Sequence, residues 1–364
     1  MIKVALVRGN YLNKSEWQNY AIKSKSIKVD PISSLNTIHY FKNSIKLLSL
    51  ADINSSKYSK YIFNRLIGDN QVLFRLDKTV QKHNILHTAD PHYYYSYQLA
   101  KIKNNRPLIS TYWETIPFNN EKMQKKKLIK NFTMNNTDLF ICHTQKAKRC
   151  IETEGYSNKR IKVIPLGVDL NRFKVRKNKD SKIKTILYVG RLVEEKGVLD
   201  LYEAFKISVK SSTNKLRLIF VGNGPLKNII YQKSKKDGLN EIVQITQKSY
   251  DSIHKTYNKA DIFVLPSRKT KTWEEQYGMV LIEALASGLP VIAYDTGAIT
   301  EVLDGKGILV DEGNIDKLSE KIIYLVNNKE KAIRIGLEGR KLAENKYNCI
   351  NYQTKITNIY QSLI

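Results

Sequence analysis

Short apolar runs alternate along the chain with longer stretches in which apolar residues recur every three or four positions. The short runs are typical of strands that are buried on both faces, and the longer period is typical of amphipathic helices. This alternation predicts parallel α/β sheets. Strands are predicted at residues 2–7, 84–87, 107–111, 138–143, 160–165, 184–189, 216–221, 242–246, 261–265, 290–294 and 307–310, whereas the tract 29–54 is less regular.

The apolar periodicity stops at residues 166–173 and in the charged run 174–182, where turn-forming residues appear. A chain of 364 residues is long enough for two domains of ordinary size. We therefore predict a first domain over residues 1–170 and a second domain over residues 171–345. Residues 346–364 continue in a helical pattern and are predicted to form a C-terminal helix.

The formal net charge is +27, and residues 1–170 carry 28 Lys and Arg against 12 Asp and Glu. Such a charge attracts anionic lipid surfaces, nucleic acid or phosphorylated substrates, and charge alone does not choose among them. Five lysines lie among Met123, Leu128 and Phe132 in the segment 122–132. This pattern is typical either of a helix at a membrane surface or of an ordinary surface helix with solvated lysines.

Cysteine usage and the lack of long apolar runs limit the protein class. Cys142, Cys150 and Cys349 form no Cys-x-x-Cys pair, which indicates unpaired thiols in a reduced, cytoplasmic protein. The first apolar run is too short for a signal peptide, and no run reaches the roughly 18 apolar residues that a membrane-spanning helix needs. The histidines lack zinc-ligand spacing and no Asp-x-Asp pair occurs, so we expect no metal ion.

Two carboxylates, Glu275 and Glu283, are separated by seven residues that include Gly278. Because a helix turns by about 100° per residue, both can serve one ligand only if Glu275 precedes a helix and Glu283 lies within it. The N-terminus of that helix, with its unpaired N–H groups, would suit a diphosphate. The alternative is a buried amphipathic helix preceded by solvated charges at Glu274 and Glu275.

The order of Pro266-Ser267, Glu275 to Gly278 and Glu283 to Val291 resembles the Glu-x7-Glu signature of the retaining family 4 glycosyltransferases. The resemblance implies an α/β fold of the GT-B type, in which two Rossmann-like domains face an interdomain cleft and the C-terminal helix returns to the first domain. It also implies a nucleotide-sugar donor and no further cofactor. The donor-binding residues implied by this segment are Glu275, Gln276, Tyr277, Gly278, Met279 and Glu283.

In that family the first glutamate touches hydroxyls of the transferred sugar and the second binds the nucleotide ribose. Glu275 and Glu283 take these positions, although a loop of uncertain shape could present Glu274 instead of Glu275. Neither glutamate is expected to act as a nucleophile. Retention in the family is drawn as front-face attack, in which the departing phosphate oxygen takes the acceptor proton.

Arg191 and Lys196 follow the predicted strand 184–189, at the edge where open α/β sheets bind ligands. Two cations there can meet the charge that develops on a leaving diphosphate. The segment resembles the family's Gly-Arg-x4-Lys-Gly motif, whose cations contact the donor diphosphate. The alternative is a surface ion cluster with neighbouring glutamates. Gly222 and Gly224 resemble a Gly-x-Gly-Pro turn near the nucleotide and are predicted to support donor binding.

The first domain departs from the family pattern, because Trp113 stands where many members carry a histidine. We predict that Trp113 stacks on a sugar and that Glu114 orients or deprotonates an acceptor hydroxyl. The alternative is a packed tryptophan beside a capping glutamate. Gly9 and Asn10, in the loop after the first strand, and His87, at a strand end, are the other acceptor-side candidates.

These patterns favour a retaining glycosyltransferase that moves a sugar from a nucleotide sugar to a glycan or lipid-linked acceptor, in cell-surface polysaccharide or glycoconjugate synthesis. An anionic membrane surface is a further expected partner. Nucleic acid is not expected, because no recognisable nucleic-acid module occurs. Two alternatives stay open: a soluble-acceptor glucan or disaccharide synthase, and a nonenzymatic basic protein that binds nucleic acid or membranes.

Overall fold

The computed structural model describes residues 1–37, 41, 43–53, 57–175 and 183–364, with no side-chain description for residues 57–61. The chain divides into unit 1, Met1–Leu166 with Cys349–Ile364, and unit 2, Gly167–Asn348. The crossing into unit 2 comes slightly before the predicted residue 171. The reason is local, because the backbone N–H of Val168 donates to the carbonyl of Tyr347 at 2.8 Å.

Within the described residues, unit 1 contains a seven-stranded parallel sheet in the order β3-β2-β1-β4-β5-β6-β7. Residues 4–7 of the first strand are fully buried, as expected for a strand covered on both faces. The strands are β1 (Ile2–Gly9), β2 (Ile27–Ser34), β3 (Ile45–Leu47), β4 (Ile85–Thr88), β5 (Leu108–Tyr112), β6 (Leu139–Cys142) and β7 (Arg160–Val163).

The described part of unit 2 contains a six-stranded parallel sheet in the order β10-β9-β8-β11-β12-β13. In both sheets the chain winds outward in two directions from the first strand, so each has a topological switch point. The switch points lie between β1 and β4 and between β8 and β11. The strands are β8 (Ile183–Val189), β9 (Lys215–Val221), β10 (Val243–Thr246), β11 (Ile262–Leu265), β12 (Val291–Tyr294) and β13 (Ile308–Val310).

Helices connect the strands and cover the sheets. In unit 1 the described helices are α1 (Lys14–Trp17), α2 (Leu50–Ile53), α3 (Lys57–Ile67), α4 (Leu76–Val80), α5 (Tyr94–Ile102), α6 (Gln124–Asn136) and α7 (Gln145–Thr153). Unit 2 contributes α8 (Val198–Ser211), α9 (Lys227–Lys236), α10 (Tyr250–Tyr257), α11 (Met279–Ala286), α12 (Ile299–Leu303), α13 (Ile315–Asn327) and α14 (Lys329–Lys346). The last helix, α15 (Cys349–Gln361), belongs to unit 1.

The strands β2 and β3 lie in or beside the tract that is less regular in sequence, and no strand was predicted there. Pro31 interrupts the pattern of β2, since proline lacks the N–H that a central strand needs. The structure accommodates it because β3 pairs with β2 only from Ile32 onward. Residues 38–40, 42 and 54–56 of this region lie outside the described residues.

The helix α15 packs against the rest of unit 1, and its polar contacts include two tyrosine hydroxyls and one glutamine amide. The hydroxyls of Tyr352 and Tyr20 lie 2.7 Å apart, and the hydroxyl of Tyr360 lies 2.8 Å from Nδ1 of His87. Gln353 donates to the carbonyl of Gln18 at 2.7 Å. The C-terminal helix therefore returns to the first unit, as expected. The three cysteines are free thiols, and each of them is buried.

Candidate active site

Two loops of unit 2 meet at the switch point between β8 and β11, and they carry the predicted donor residues. Lys196 donates from Nζ to Oε2 of Glu275 at 2.6 Å, and Ser267 donates to the same oxygen at 2.9 Å. The Lys196 ammonium also lies 4.6 Å from the ring centroid of Trp273. Side-chain exposures of 13% for Lys196 and 10% for Glu275 leave this ion pair within reach of a ligand.

Glu274 and Glu275 are separated by their partners. The carboxylate of Glu275 accepts hydrogen bonds from Lys196 and Ser267. The buried carboxylate of Glu274 lies 3.7 Å from Nζ of Lys269. Neither glutamate is a solvated surface charge, because both residues are less than 9% exposed. The geometry favours Glu275 as the sugar-contacting residue, and that role stays a prediction.

Glu283 lies within α11, and Glu275 precedes that helix, as the helical geometry required. Its side chain is buried, and the hydroxyl of Tyr257 donates to Oε2 at 2.7 Å. Burial raises the pKa of Glu283 to about 7, while the hydrogen bond from Tyr257 and the charge of Arg172 act in the opposite direction. Glu283 therefore changes its charge near neutral pH.

Gly278 is the N-cap of α11 and has a left-handed backbone, with φ of 76°. It offers no side chain to cap the first N–H groups of the helix, which suits an anion at this end. Around it, Tyr277 is buried, whereas Gln276 and Met279 are half-buried. The donor contacts predicted for these residues stay predictions.

Arg191 lies on the surface, unlike Lys196. Its side chain is 60% exposed, and Nη2 lies 3.1 Å from Oε1 of Glu195. A surface pair of this kind contributes little to stability, so the guanidinium is free to exchange a carboxylate for a diphosphate. A surface ion cluster, the alternative interpretation, would show the same pairing with Glu195. The contact of Arg191 with a diphosphate therefore stays a prediction.

Gly222 and Gly224 are required for the packing of backbone on backbone. A Cβ atom on Gly222 would collide with the carbonyl of Gly190, and one on Gly224 would collide with the carbonyl of Leu192. The N–H of Leu192 in one loop donates to the carbonyl of Asn223 in the other at 2.9 Å. These glycines therefore hold the loop that carries Arg191, and any direct contact with a nucleotide stays a prediction.

Side chains that the sequence did not single out brace the loop after β11. Arg268 donates twice to the carboxylate of Asp200 on α8, each time at 2.7 Å. Ala298 donates to the carbonyl of Glu275 at 2.8 Å, which ties the glutamate's backbone to the start of α12. No sequence spacing predicts the pairing of Arg268 with Asp200, because the two residues lie on different elements.

In unit 1, Gly9 is the last residue of β1, and Asn10 begins the loop that follows. Gly9 has φ of 54° and lies against Gln71 and the ring of Tyr95. The N–H of Asn10 donates to Oε1 of Gln71 at 3.2 Å, and the following Tyr11 ring lies 4.9 Å from the ring of Tyr93. The loop is therefore ordered against aromatic side chains at the carboxyl ends of the strands.

Trp113 and Glu114 come directly after β5. The half-buried Trp113 ring meets the ring of His143 edge-on at 4.4 Å. Both oxygens of the buried Glu114 accept side-chain amide hydrogen bonds, from Asn119 at 3.0 Å and from Asn120 at 2.6 Å. Glu114 thus holds the turn that follows it, and its predicted role toward an acceptor stays a prediction.

His87 is fully buried inside a polar network of unit 1. Its Nε2 lies 2.8 Å from Oγ1 of Thr111, and its Nδ1 lies 2.8 Å from the hydroxyl of Tyr360. Burial and the charge of Arg8 lower the pKa of His87 well below its usual range. The network gives His87 a structural role, and the acceptor-side role stays a prediction.

The lysine-rich segment differs from the predicted pattern at Lys130. Lys130 is buried and paired with Glu121 at 2.8 Å and with Glu154 at 2.6 Å. The helix here begins at Gln124. Leu128 is 61% exposed, so an apolar side chain does lie on the outer face of α6.

Within the described residues, no three potential metal ligands of the His, Cys, Asp or Glu type gather at one place. The absence of a metal requirement stays a prediction. No helix in the same part of the chain is long and apolar enough to span a membrane.

Comparison with known proteins assigns the chain to a family. The model "Glycosyl transferases group 1" matches residues 169–342, and "Glycosyltransferase Family 4" matches residues 53–172. The chain belongs to the family 4 glycosyltransferases. The first match contains Arg191, Lys196, Glu275 and Glu283, so the donor-side residues lie within the matched region of this family 4 glycosyltransferase.

Curated relatives of this family 4 glycosyltransferase include the capsular polysaccharide biosynthesis glycosyltransferase CapM of Staphylococcus aureus. It is 32% identical over 212 residues, covering 54% of this chain and 53% of CapM. A GDP-mannose-dependent phosphatidylinositol monomannoside mannosyltransferase of Mycobacterium tuberculosis is 26% identical over 195 residues, covering 50% of each chain. The chain spans about half the length of these curated relatives.

The fold of this family 4 glycosyltransferase matches solved structures over its whole length. HepE of Anabaena, in a structure with UDP and glucose, has a TM-score of 0.75 at 16% identity, with 100% of both chains covered. A sucrose-phosphate synthase of Thermosynechococcus elongatus has a TM-score of 0.73 at 17% identity, covering 100% of this chain and 99% of the synthase. These likenesses confirm the predicted α/β fold of the GT-B type.

Proposed function

We propose that this family 4 glycosyltransferase transfers a sugar, with retention, from a nucleotide sugar to a glycan or lipid-linked acceptor. The observation that carries the proposal is the Lys196–Glu275 pair, whose 2.6 Å contact joins two loops at the switch point of unit 2. One cation beside one carboxylate suits a ligand in which a phosphate adjoins sugar hydroxyls. The names of the relatives support the same class of reaction.

Each donor-side residue has a role in this proposal. Lys196 and Arg191 bind the diphosphate together with the N–H groups at the start of α11. When the glycosidic bond breaks, its electron pair stays on the diphosphate oxygen, and these groups stabilise the negative charge that forms there. That oxygen takes the proton of the attacking acceptor hydroxyl. Glu275 and Glu283 hold sugar and ribose hydroxyls and form no bond to the sugar.

The acceptor proposal rests on relatives and on the surface of unit 1. CapM is named for capsular polysaccharide synthesis, and the mycobacterial relative is named for a phosphatidylinositol mannoside. On unit 1, Leu66 of α3 and Leu128 of α6 are 60% and 61% exposed. Exposed Lys122 and Lys127 lie on the same segment as Leu128. Such a surface suits peripheral binding to anionic lipids, which would bring the protein to a lipid-linked acceptor.

Thermal unfolding of the full chain with UDP, GDP and ADP sugars tests the donor proposal. A ligand present at about 100 times its Kd stabilises the native state by about 2.7 kcal/mol, so one nucleotide series should raise Tm clearly. Lys196→Ala should lose most of that increase, because it removes the cation that meets the diphosphate.

Lys233→Ala is the matched control, since Lys233 is a surface lysine of unit 2 paired with Glu203 at 2.8 Å. This variant should keep the full increase in Tm. The donor proposal fails if no nucleotide sugar protects the native protein, or if Lys196→Ala is protected as well as Lys233→Ala.

A further inference from the structure

The switch point of unit 1, between β1 and β4, is a second place where an open α/β sheet can bind a ligand. The loops that follow these two strands bring the half-buried rings of Tyr11 and Tyr93 to 4.9 Å of each other. Asp90 stands two residues after β4 and is 6% exposed. Asp90 is an electrostatic neighbour of Tyr93. A polar group close to a half-buried aromatic ring can bind both the hydroxyls and the apolar face of a sugar.

One oxygen of Asp90 is fixed and the other is unused. The N–H of Trp113 donates to Oδ1 at 2.7 Å, and the backbone carbonyl of Asp90 accepts from Ser96 Oγ at 2.9 Å. Oδ2 makes no hydrogen bond with any residue that the structure describes. Burial and the nearby carboxylate of Glu114 raise the pKa of Asp90 well above its usual range. The carboxyl group is thus held in place with one oxygen available.

The neighbouring carboxylates of this edge are already satisfied. Both oxygens of Glu114 accept from asparagine amides, and Glu16 is paired with Arg8 at 2.7 Å. Asp69 accepts from the N–H of Tyr94 at 2.9 Å and from two further backbone N–H groups. Asp90 is therefore the carboxylate of this group with unused hydrogen-bonding capacity.

A second unsatisfied group lies close by. The hydroxyl of Tyr95 is fully buried and has no hydrogen-bond partner among the described residues. Its electrostatic neighbours include Asp90, Asp69 and Arg8. Leaving a buried polar group without a partner costs about 1–3 kcal/mol. Because the Tyr95 hydroxyl is enclosed, Asp90 is the group of this edge that a ligand can reach.

We propose that Asp90 binds a hydroxyl group of the acceptor sugar at the switch point of unit 1, with Tyr11 and Tyr93 packing against the sugar ring. This inference rests on the proposed function and adds the class of ligand that unit 1 holds. The carboxyl group of Asp90 suits the hydroxyls of a sugar, and the two tyrosine rings suit its apolar face.

Asp90→Asn is the sharpest variant, because asparagine keeps an oxygen for the N–H of Trp113 and replaces only the free oxygen. Asp69→Asn is the matched control, since it makes the same carboxyl-to-amide change at the same edge and retains an acceptor oxygen. The probes are octyl glycosides with glucose, galactose, mannose and N-acetylglucosamine head groups. Binding to the full chain is measured by saturation-transfer NMR in the presence of UDP.

We expect at least one head group to bind the wild-type protein and Asp69→Asn with similar Kd, and to bind Asp90→Asn at least tenfold more weakly. A site that hydrogen-bonds a hydroxyl discriminates strongly once that bond is removed. The inference is overturned if no head group distinguishes Asp90→Asn from the wild-type protein, whether all of them bind equally or none binds.

Donor binding separates this outcome from failure of the proposed function. Asp90 belongs to unit 1, so Asp90→Asn should show the same nucleotide-sugar protection in thermal unfolding as the wild-type protein. Loss of sugar binding with intact donor protection supports the inference. Intact donor protection with unchanged sugar binding refutes the inference alone, and absent donor protection in the wild-type protein refutes the proposed function.

Discussion

The two units have the same sheet topology around the first strand, and each has an ion pair near the carboxyl end of that strand. In unit 1 the pair is Arg8–Glu16 at 2.7 Å, with side-chain exposures of 1% and 9%. In unit 2 it is Lys196–Glu275 at 2.6 Å, with exposures of 13% and 10%. The distances are nearly equal, and the surroundings differ.

Arg8 is enclosed by groups that satisfy it. Its guanidinium donates to Oγ1 of Thr111 at 3.0 Å and to the carbonyl of Val7 at 3.1 Å, in addition to Glu16. The hydroxyl of Tyr20 links the same network to Tyr352 of α15. Lys196, by contrast, has an aromatic ring and a carboxylate as its neighbours at a loop. One topology therefore carries a structural cation in unit 1 and, as we propose, a donor-binding cation in unit 2.

The largest expected effect comes from breaking the enclosed pair. Glu16→Ala leaves Arg8 buried without its carboxylate, which should destabilise the protein by about 3–5 kcal/mol. Lys196→Ala should cost about 1 kcal/mol or less, because Ser267 still donates to Glu275 and solvent reaches the site. Denaturant unfolding followed by circular dichroism measures both. If the two variants lose the same free energy of unfolding, the two ion pairs do not differ in the way described.

A second effect concerns the pH dependence of stability in unit 2. The pKa of Glu283 is raised from 4.5 to about 7 in the native protein. Because the native pKa exceeds the unfolded one, the contribution of Glu283 to stability is fully present below about pH 4.5 and is lost as pH rises through about 7. The loss amounts to about 3 kcal/mol for a shift of this size.

Glu283→Gln provides the control for this prediction, since glutamine can still accept from Tyr257 and does not titrate. The free energy of unfolding of each protein is measured at pH values from 4 to 8. The value for the wild-type protein minus that for Glu283→Gln should fall as pH rises through about 7. A difference that stays constant with pH would mean that the pKa of Glu283 is the same in the native and unfolded states, which contradicts the prediction.

The smallest effect is on the surface of unit 1. Lys122→Ala with Lys127→Ala should weaken binding to anionic vesicles of phosphatidylglycerol and phosphatidylcholine, because each lysine near such a surface contributes about 1 kcal/mol. Lys235→Ala with Lys236→Ala, on α9 of unit 2, removes the same charge from the other unit. Flotation of the full chain measures both. Equal flotation of the two double variants would remove this segment of unit 1 from the membrane proposal.

The order of strands and helices could be predicted well where apolar runs were continuous, as at residues 184–189 and 261–265. The strand β2 was not predicted, because Asp30 and Pro31 interrupt its apolar pattern. The structure tolerates them because β3 pairs with β2 only from Ile32 onward. The donor-side residues could be predicted because they lie in short ordered motifs. The contact of Glu283 with Tyr257 and the pairing of Arg268 with Asp200 could not be predicted, because each joins two different elements.

The sequence by itself determined the two-domain α/β organisation and the placement of Glu275 before α11 and Glu283 within it, because strand period, helix period and turn residues act locally. Tertiary structure alone decided which charges are enclosed and which are accessible. Arg8, His87 and Lys130 could each have been a surface or ligand-binding group, and all three are buried among partners from distant segments. Burial depends on what packs over a side chain, and no local pattern records it.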